Sequence, residues 1–101
     1  MDTQTANTIA AKITNANLSC AWVSGSREVT LKITGARVWT ARNGMARVYL
    51  DTEFSGSRYD EPTDVYWDGE DLNANYEDLT HRKTAAAQQA LSDIEDAIYD
   101  L

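Results

Sequence analysis

The sequence predicts a two-layer α+β domain over residues 1–101, in which an antiparallel β-sheet of three to four strands is flanked by N-terminal and C-terminal helices. Three observations predict it: apolar residues at helical spacing near each end, an alternating segment that starts at Glu28, and the dipeptide Asn43-Gly44 within it. A chain of 101 residues is best served by one core, because two would each be too small to stabilise readily.

Ala6, Ile9, Ala10 and Ile13 recur at i, i+3, i+4 and i+7, so the first helix is expected from Thr3 to about Asn15, with Asp2 or Thr3 capping its first turn. Asn15 and Asn17 tolerate the turn that ends it. Leu18 to Val23 reads as a first strand, and Ser24-Gly25-Ser26 as the turn after it. Val29, Leu31, Ile33, Trp39 and Ala41 then share one parity, as a strand with one buried face requires.

Asn43-Gly44 favours a two-residue type I′ hairpin, since both central positions of that turn need positive φ. Folding back there places Ala41 opposite Ala46, Trp39 opposite Val48, Arg37 opposite Leu50 and Ile33 opposite Phe54, with Trp39, Val48, Leu50 and Phe54 buried on one face. Arg37 interrupts that face and is expected at the sheet edge, with its charge reaching solvent. Residues 55–62 read as a loop, Asp64 to Trp67 as a fourth strand, and Gly69 to Asp78 as polar and irregular. Ala87, Leu91, Ile94, Ile98 and Leu101 form a helical stripe, so a second helix is expected from about His81 to Asp100.

Composition excludes several functions. The single cysteine, Cys20, permits neither an intrachain disulfide nor a cysteine-based zinc site, and it suits a reducing compartment. No basic segment precedes an apolar run, and no stretch approaches the roughly 18 to 20 apolar residues of a membrane span, so a cytoplasmic protein with no membrane contact is expected. Asn17-Leu18-Ser19 matches a glycosylation sequon, which has no meaning without secretion. The net charge of -7 conceals an asymmetry: residues 1–50 hold two acids and six bases, residues 51–101 fourteen acids and three bases. The halves thus carry +4 and -11. Such an excess repels phosphate and accelerates encounter with basic proteins, which argues against direct nucleic-acid binding.

Catalytic chemistry finds few carriers. His81 stands between Thr80 and Arg82 at the expected start of the last helix, where a solvated role suits it, and Cys20 in an apolar strand suits a buried inert thiol. Asp51 and Glu53 share a strand face opposite Ala36 and Thr34, with Lys32 nearby, the arrangement a hydrolase would need; outward alternation alone also produces it. Asp64, Asp68, Gly69, Glu70 and Asp71 are rich in hard oxygen ligands. Aligned on a calcium-binding loop, however, they put Tyr66 third and Asn75 twelfth, where the bidentate Glu should stand. No metal, cofactor or enzymatic activity is therefore expected.

The acids remain to be explained. From Asp51 to Asp78 ten acids face one base, Arg58, and Tyr59, Tyr66, Trp67 and Tyr76 are interleaved with them. A solvated loop with inward aromatics would look like this, and so would an interface of rigid aromatics ringed by carboxylates. The last helix favours the interface: Arg82 and Lys83 lie near its start while Asp93, Glu95, Asp96 and Asp100 crowd its end, opposing the helix dipole. The expected partner-binding set is therefore Asp60, Glu61, Asp64, Tyr66, Asp68, Glu70, Asp71, Tyr76, Glu77 and Asp78, extended by Asp93, Asp96 and Asp100.

In size, acidity, cysteine poverty and aromatic-threaded carboxylates, the chain resembles the inhibitors encoded by phages and mobile elements, above all anti-CRISPR proteins. The resemblance implies a CRISPR effector subunit or complex as partner, met in a bacterial host by a monomer or homodimer, and occlusion of the basic surface that binds target DNA, as a DNA mimic would achieve it. An immunity or antitoxin protein against a nuclease follows the same charge logic, and a structural or assembly protein could use the acidic face as a subunit contact.

Overall fold

A computed structural model describes residues 1–56, 60–76 and 84–101. Helix α1 (Thr3–Ala16) begins where Asp2 Oδ1 accepts the Thr5 amide at 2.7 Å and ends at Asn17, which adopts the left-handed conformation. Strands β1 (Ser19–Ser24), β2 (Arg27–Thr40), β3 (Ala46–Ser55), β4 (Asp64–Trp67) and β5 (Leu72–Asn75) follow. Helix α2 (Ala85–Tyr99) closes the order, its Ala87 amide bonded to Thr84 Oγ1 at 3.1 Å. The strands form one antiparallel meander in the order β1-β2-β3-β4-β5.

The α+β class stands, but the sheet has five strands where three to four are expected. The additional strand is β5, in the segment read as irregular. Leu72 and Ala74 alternate with Asn73 and Asn75, and pairing with β4 outweighs the poor strand propensity of asparagine. The turn before β5 is built by Asp68, whose Oδ1 accepts the Glu70 and Asp71 amides, each at 2.8 Å.

The β2–β3 hairpin forms around Asn43-Gly44 in a different register. Only Gly44 has positive φ there; the Gly44 amide bonds Ala41 O at 2.9 Å and the Ala41 amide bonds Met45 O at 2.8 Å. This is a type I turn followed by a left-handed glycine, a three-residue loop in place of the two-residue I′ turn. The added residue shifts the register by one, so that Thr40 faces Ala46, Val38 faces Val48 and Ala36 faces Leu50. A bulge between Ile33 and Gly35 then shifts it again, and Leu31, not Ile33, meets Phe54.

The bulge also reverses which side chains point inward. Val29, Leu31 and Ile33 are buried, whereas beyond the bulge Ala36 and Val38 take the inner face and Arg37 and Trp39 the outer one. Trp39, expected in the core with Val48, Leu50 and Phe54, is 50% exposed; Val48 and Leu50 are buried and Phe54 is partly so. Arg37 accordingly lies on the outer face of an interior strand, and its Nε donates to Asp51 Oδ1 at 2.8 Å. Asp51 and Glu53 face Gly35 and Lys32, not Ala36 and Thr34.

Both helices cover the inner face. Ala6, Ala10 and Ile13 of α1 join Ile33, Val48, Leu50, Val65, Trp67, Ile94 and Ile98 in the larger core cluster. Ala87, Ala90 and Leu91 of α2 pack with Trp22, Val29 and Leu31 in the smaller. Because α2 touches β1 and β5, the two edges of the sheet, the sheet curls around it. The expected α2 stripe is buried from Ala87 to Ile98, while Leu101 lies beyond the helix and is exposed; the expected start at residues 81–83 lies outside the described residues. Among the described residues no helix is long and apolar enough to cross a membrane.

Candidate functional site

The acids expected to act together are divided among three places by the meander. Asp60, Glu61 and Asp64 precede β4 or stand at its start, and Tyr76 follows β5, so all four share one end of the β4–β5 hairpin. Asp68, Glu70 and Asp71 occupy the other end, a strand length away. Tyr66 lies between them on the outer face, paired with Tyr49 at a ring separation of 5.3 Å. Glu77 and Asp78 lie outside the described residues.

Helix α2 joins one of these groups. Its Tyr99 hydroxyl donates to the Glu70 carbonyl, and Glu95 Oε2 accepts the Leu72 amide at 2.8 Å, fixing the end of the helix against the β4–β5 turn. Partial loss of solvent, followed by the charges of Glu95, Asp71, Glu70 and Asp68, raises the Tyr99 hydroxyl above its ordinary pKa. Four carboxylates thus lie within electrostatic reach of one hydroxyl. Asp96 and Asp100 are exposed at the C-terminal end of α2.

Asp93 is exposed on α2 but belongs elsewhere. Its charge, after burial, helps to push the Cys20 thiol up to about 11. Burial, then Asp60 and Cys20, raises the Tyr76 hydroxyl. Asp93 thus lies within electrostatic reach of Cys20, and Asp60 and Cys20 within reach of Tyr76, whereas none of them acts on Tyr99. A half-buried thiol held protonated at neutral pH is a weak nucleophile.

Asp68 has a structural task. Its environment removes solvent, which by itself would raise the carboxyl, yet the amides of Asp71 and Glu70, the Asn73 side chain and nearby Arg47 hold it below the ordinary value. Asp51 is engaged by Arg37, and Glu53 stands opposite Lys32. No group of three or more His, Cys, Asp or Glu among the described residues is placed to hold a metal ion.

Sequence reasoning missed the outer face of the sheet. The Arg47 guanidinium lies 4.8 Å from the Tyr66 ring centroid and 5.9 Å from that of Trp39, so the two rings flank it. The β2–β3 and β4–β5 turns, with Met1, enclose an open groove of about 670 Å³ lined by Trp39, Met45, Arg47, Asp68 and Glu70. Gly35 is the signal that could have revealed this face, because glycine inside a strand marks a bulge, and the bulge turns Trp39 outward. Set against protein-family models, curated proteins and solved structures, the chain matches none.

Proposed function

We propose that this chain is a non-enzymatic inhibitor that binds a basic, nucleic-acid-binding protein surface through the acidic edge where α2 meets the β4–β5 turn. In its most specific form it is an anti-CRISPR protein, acting in the cytoplasm of a bacterial host, that blocks target DNA binding by a CRISPR effector complex. The observation that carries this reading is the junction itself, where Tyr99 and Glu95 bind the turn backbone and bring Glu70 and Asp71 to the acidic end of α2. Like charges near one another repel, and acids at a helix C-terminus oppose the dipole, so stability alone would disperse them. A partner's Arg or Lys side chains would relieve that repulsion, and the edge would compete with phosphates for the same cations.

The test is a target-DNA gel shift with purified CRISPR effector complexes, adding this protein before the DNA. Wild type should prevent the shift, and the triple variant Glu70→Lys, Asp71→Lys, Asp100→Lys should restore it. Should the variant block DNA as wild type does, the acidic edge is not the binding surface. Should wild type neither bind nor block any complex, the anti-CRISPR form of the reading fails.

A further inference from the structure

We infer that the outer face of the sheet, which neither helix covers, is a homodimer interface, in which β3 of one copy packs antiparallel on β3 of a second. Both helices lie on the inner face, yet the outer one carries the half-exposed Trp39, partly exposed Tyr49 and Tyr66, and Arg47 held against its rings. Trp, Tyr and Arg are the residue types that dominate binding energy at protein interfaces, and here they are already ordered by one another.

The pattern of charges identifies the occupant. On β3 the outward residues run Arg47, Tyr49, Asp51, Glu53. Level with them on β2 are Trp39, Arg37, Gly35 and Lys32, and on β4 Tyr66 is level with Tyr49. Continuing the β3–β4 register brings Asp64 level with Asp51. A two-fold axis perpendicular to β3, passing at Leu50, lays this face on itself end for end. Arg47 then meets Glu53 of the other copy, Trp39 meets Lys32, and the Tyr49 and Tyr66 hydroxyls meet Asp51 and Asp64. Arg37 meets Gly35, against which the Asp51 carboxylate lies, so an arginine there again faces an acid.

No like charges oppose each other in this arrangement, and each copy supplies what the other lacks. Neither Glu53 nor Asp64 has a hydrogen bond or ion pair from its carboxylate to the other described residues, and no carboxylate of a described residue lies within ion-pair distance of Arg47. The central strand makes the contact, as the curl of the sheet around α2 requires. The offset of roughly 30° between packed twisted sheets displaces the outer strands more than the β3 pair. Nucleic acid fits less well, because Asp51, Glu53 and Asp64 balance Lys32, Arg37 and Arg47 and leave no positive excess for phosphates.

Sedimentation velocity over a series of micromolar concentrations tests the inference, with circular dichroism confirming that each variant is folded. Wild type should sediment as a dimer with increasing concentration. Arg47→Glu alone and Glu53→Lys alone should each be monomeric, since each places like charges together twice. An equimolar mixture of the two should regain the dimer, because both contacts become attractive in the mixed pair. A wild type monomeric throughout, single variants that dimerise as wild type does, or a mixture that stays monomeric would each overturn the interface. A monomer that instead binds a fluorescent oligothymidylate and loses it in Tyr66→Ala would overturn it in favour of a nucleic-acid surface.

Discussion

Cys20 shows how a single residue's environment sets its chemistry. Burial, followed by the charge of Asp93, moves its thiol from 9.0 to about 11. At pH 8 this leaves a thiolate population about a hundredfold below that of an ordinary cysteine. Iodoacetamide should therefore alkylate the folded chain about a hundredfold more slowly than the urea-unfolded one, and equal rates would show the thiol to be open to solvent. The same shift fixes the sign of the alkaline response: the unfolded thiol ionises first, so its contribution to stability is whole below pH 9 and is lost as pH rises towards about 11. Gly56 is a second residue with a definite duty. It has φ +144°, and a Cβ placed there would lie 2.9 Å from Cγ2 of the fully buried Val29. Gly56→Ala should cost about 1 to 3 kcal/mol through strain and overpacking, measured by urea unfolding; an unchanged midpoint would show that the β3 terminus yields freely.

Among the elements, both helices, β1, β4 and the existence of the β2–β3 hairpin, though not its register, were legible in the sequence because each follows from a local period or turn. The register and faces of that pair were not legible, because they depended on two backbone irregularities, the added residue in the turn and the bulge at Gly35. A strand of alternating side chains fixes which residues share a face only while the alternation is unbroken, and Gly35 breaks it. The phase change is visible in retrospect, since Val29, Leu31 and Ile33 give way to Ala36 and Val38. β5 was hidden for another reason: Asn73 and Asn75 have no strand preference, and β4 and Glu95 supply the pairing from distant sequence. The candidate site was legible as a list of acids but not as a surface, because the β4–β5 turn and α2 meet through tertiary hydrogen bonds of Tyr99 and Glu95. Acrylamide quenching tests the reversed faces. Trp22 and Trp67 are buried and Trp39 is half exposed, so in dilute solution one class of tryptophan should be quenched readily, and Trp39→Phe should abolish it. Quenching that persists in this variant would mean that the sheet opens or that Trp39 lies inward.

For the whole molecule, the question is whether the acidic edge is merely solvated or is kept for a partner, and stability and binding give opposite signs. Glu70, Asp71 and Glu95 lie within electrostatic reach of Tyr99, and Asp96 and Asp100 stand at the end of α2, where the helix dipole is also negative. Reversing one such charge removes repulsion worth a few tenths of a kcal/mol and adds attraction of similar size. The variant Glu70→Lys, Asp71→Lys, Asp100→Lys should therefore melt higher than wild type by about 2 to 6 °C at low ionic strength. The gain should shrink as added salt approaches about 1 M, where the screening length falls to about 3 Å. If the edge is a solvated face, the variant gains stability and loses nothing else. If the edge is a binding surface, the same variant melts higher and at the same time binds its partner more slowly, since opposite charges chiefly set the rate of encounter. Thermal melts and association kinetics on one pair of proteins decide the matter: a higher melting temperature with an unchanged association rate would assign the acids to solvation alone.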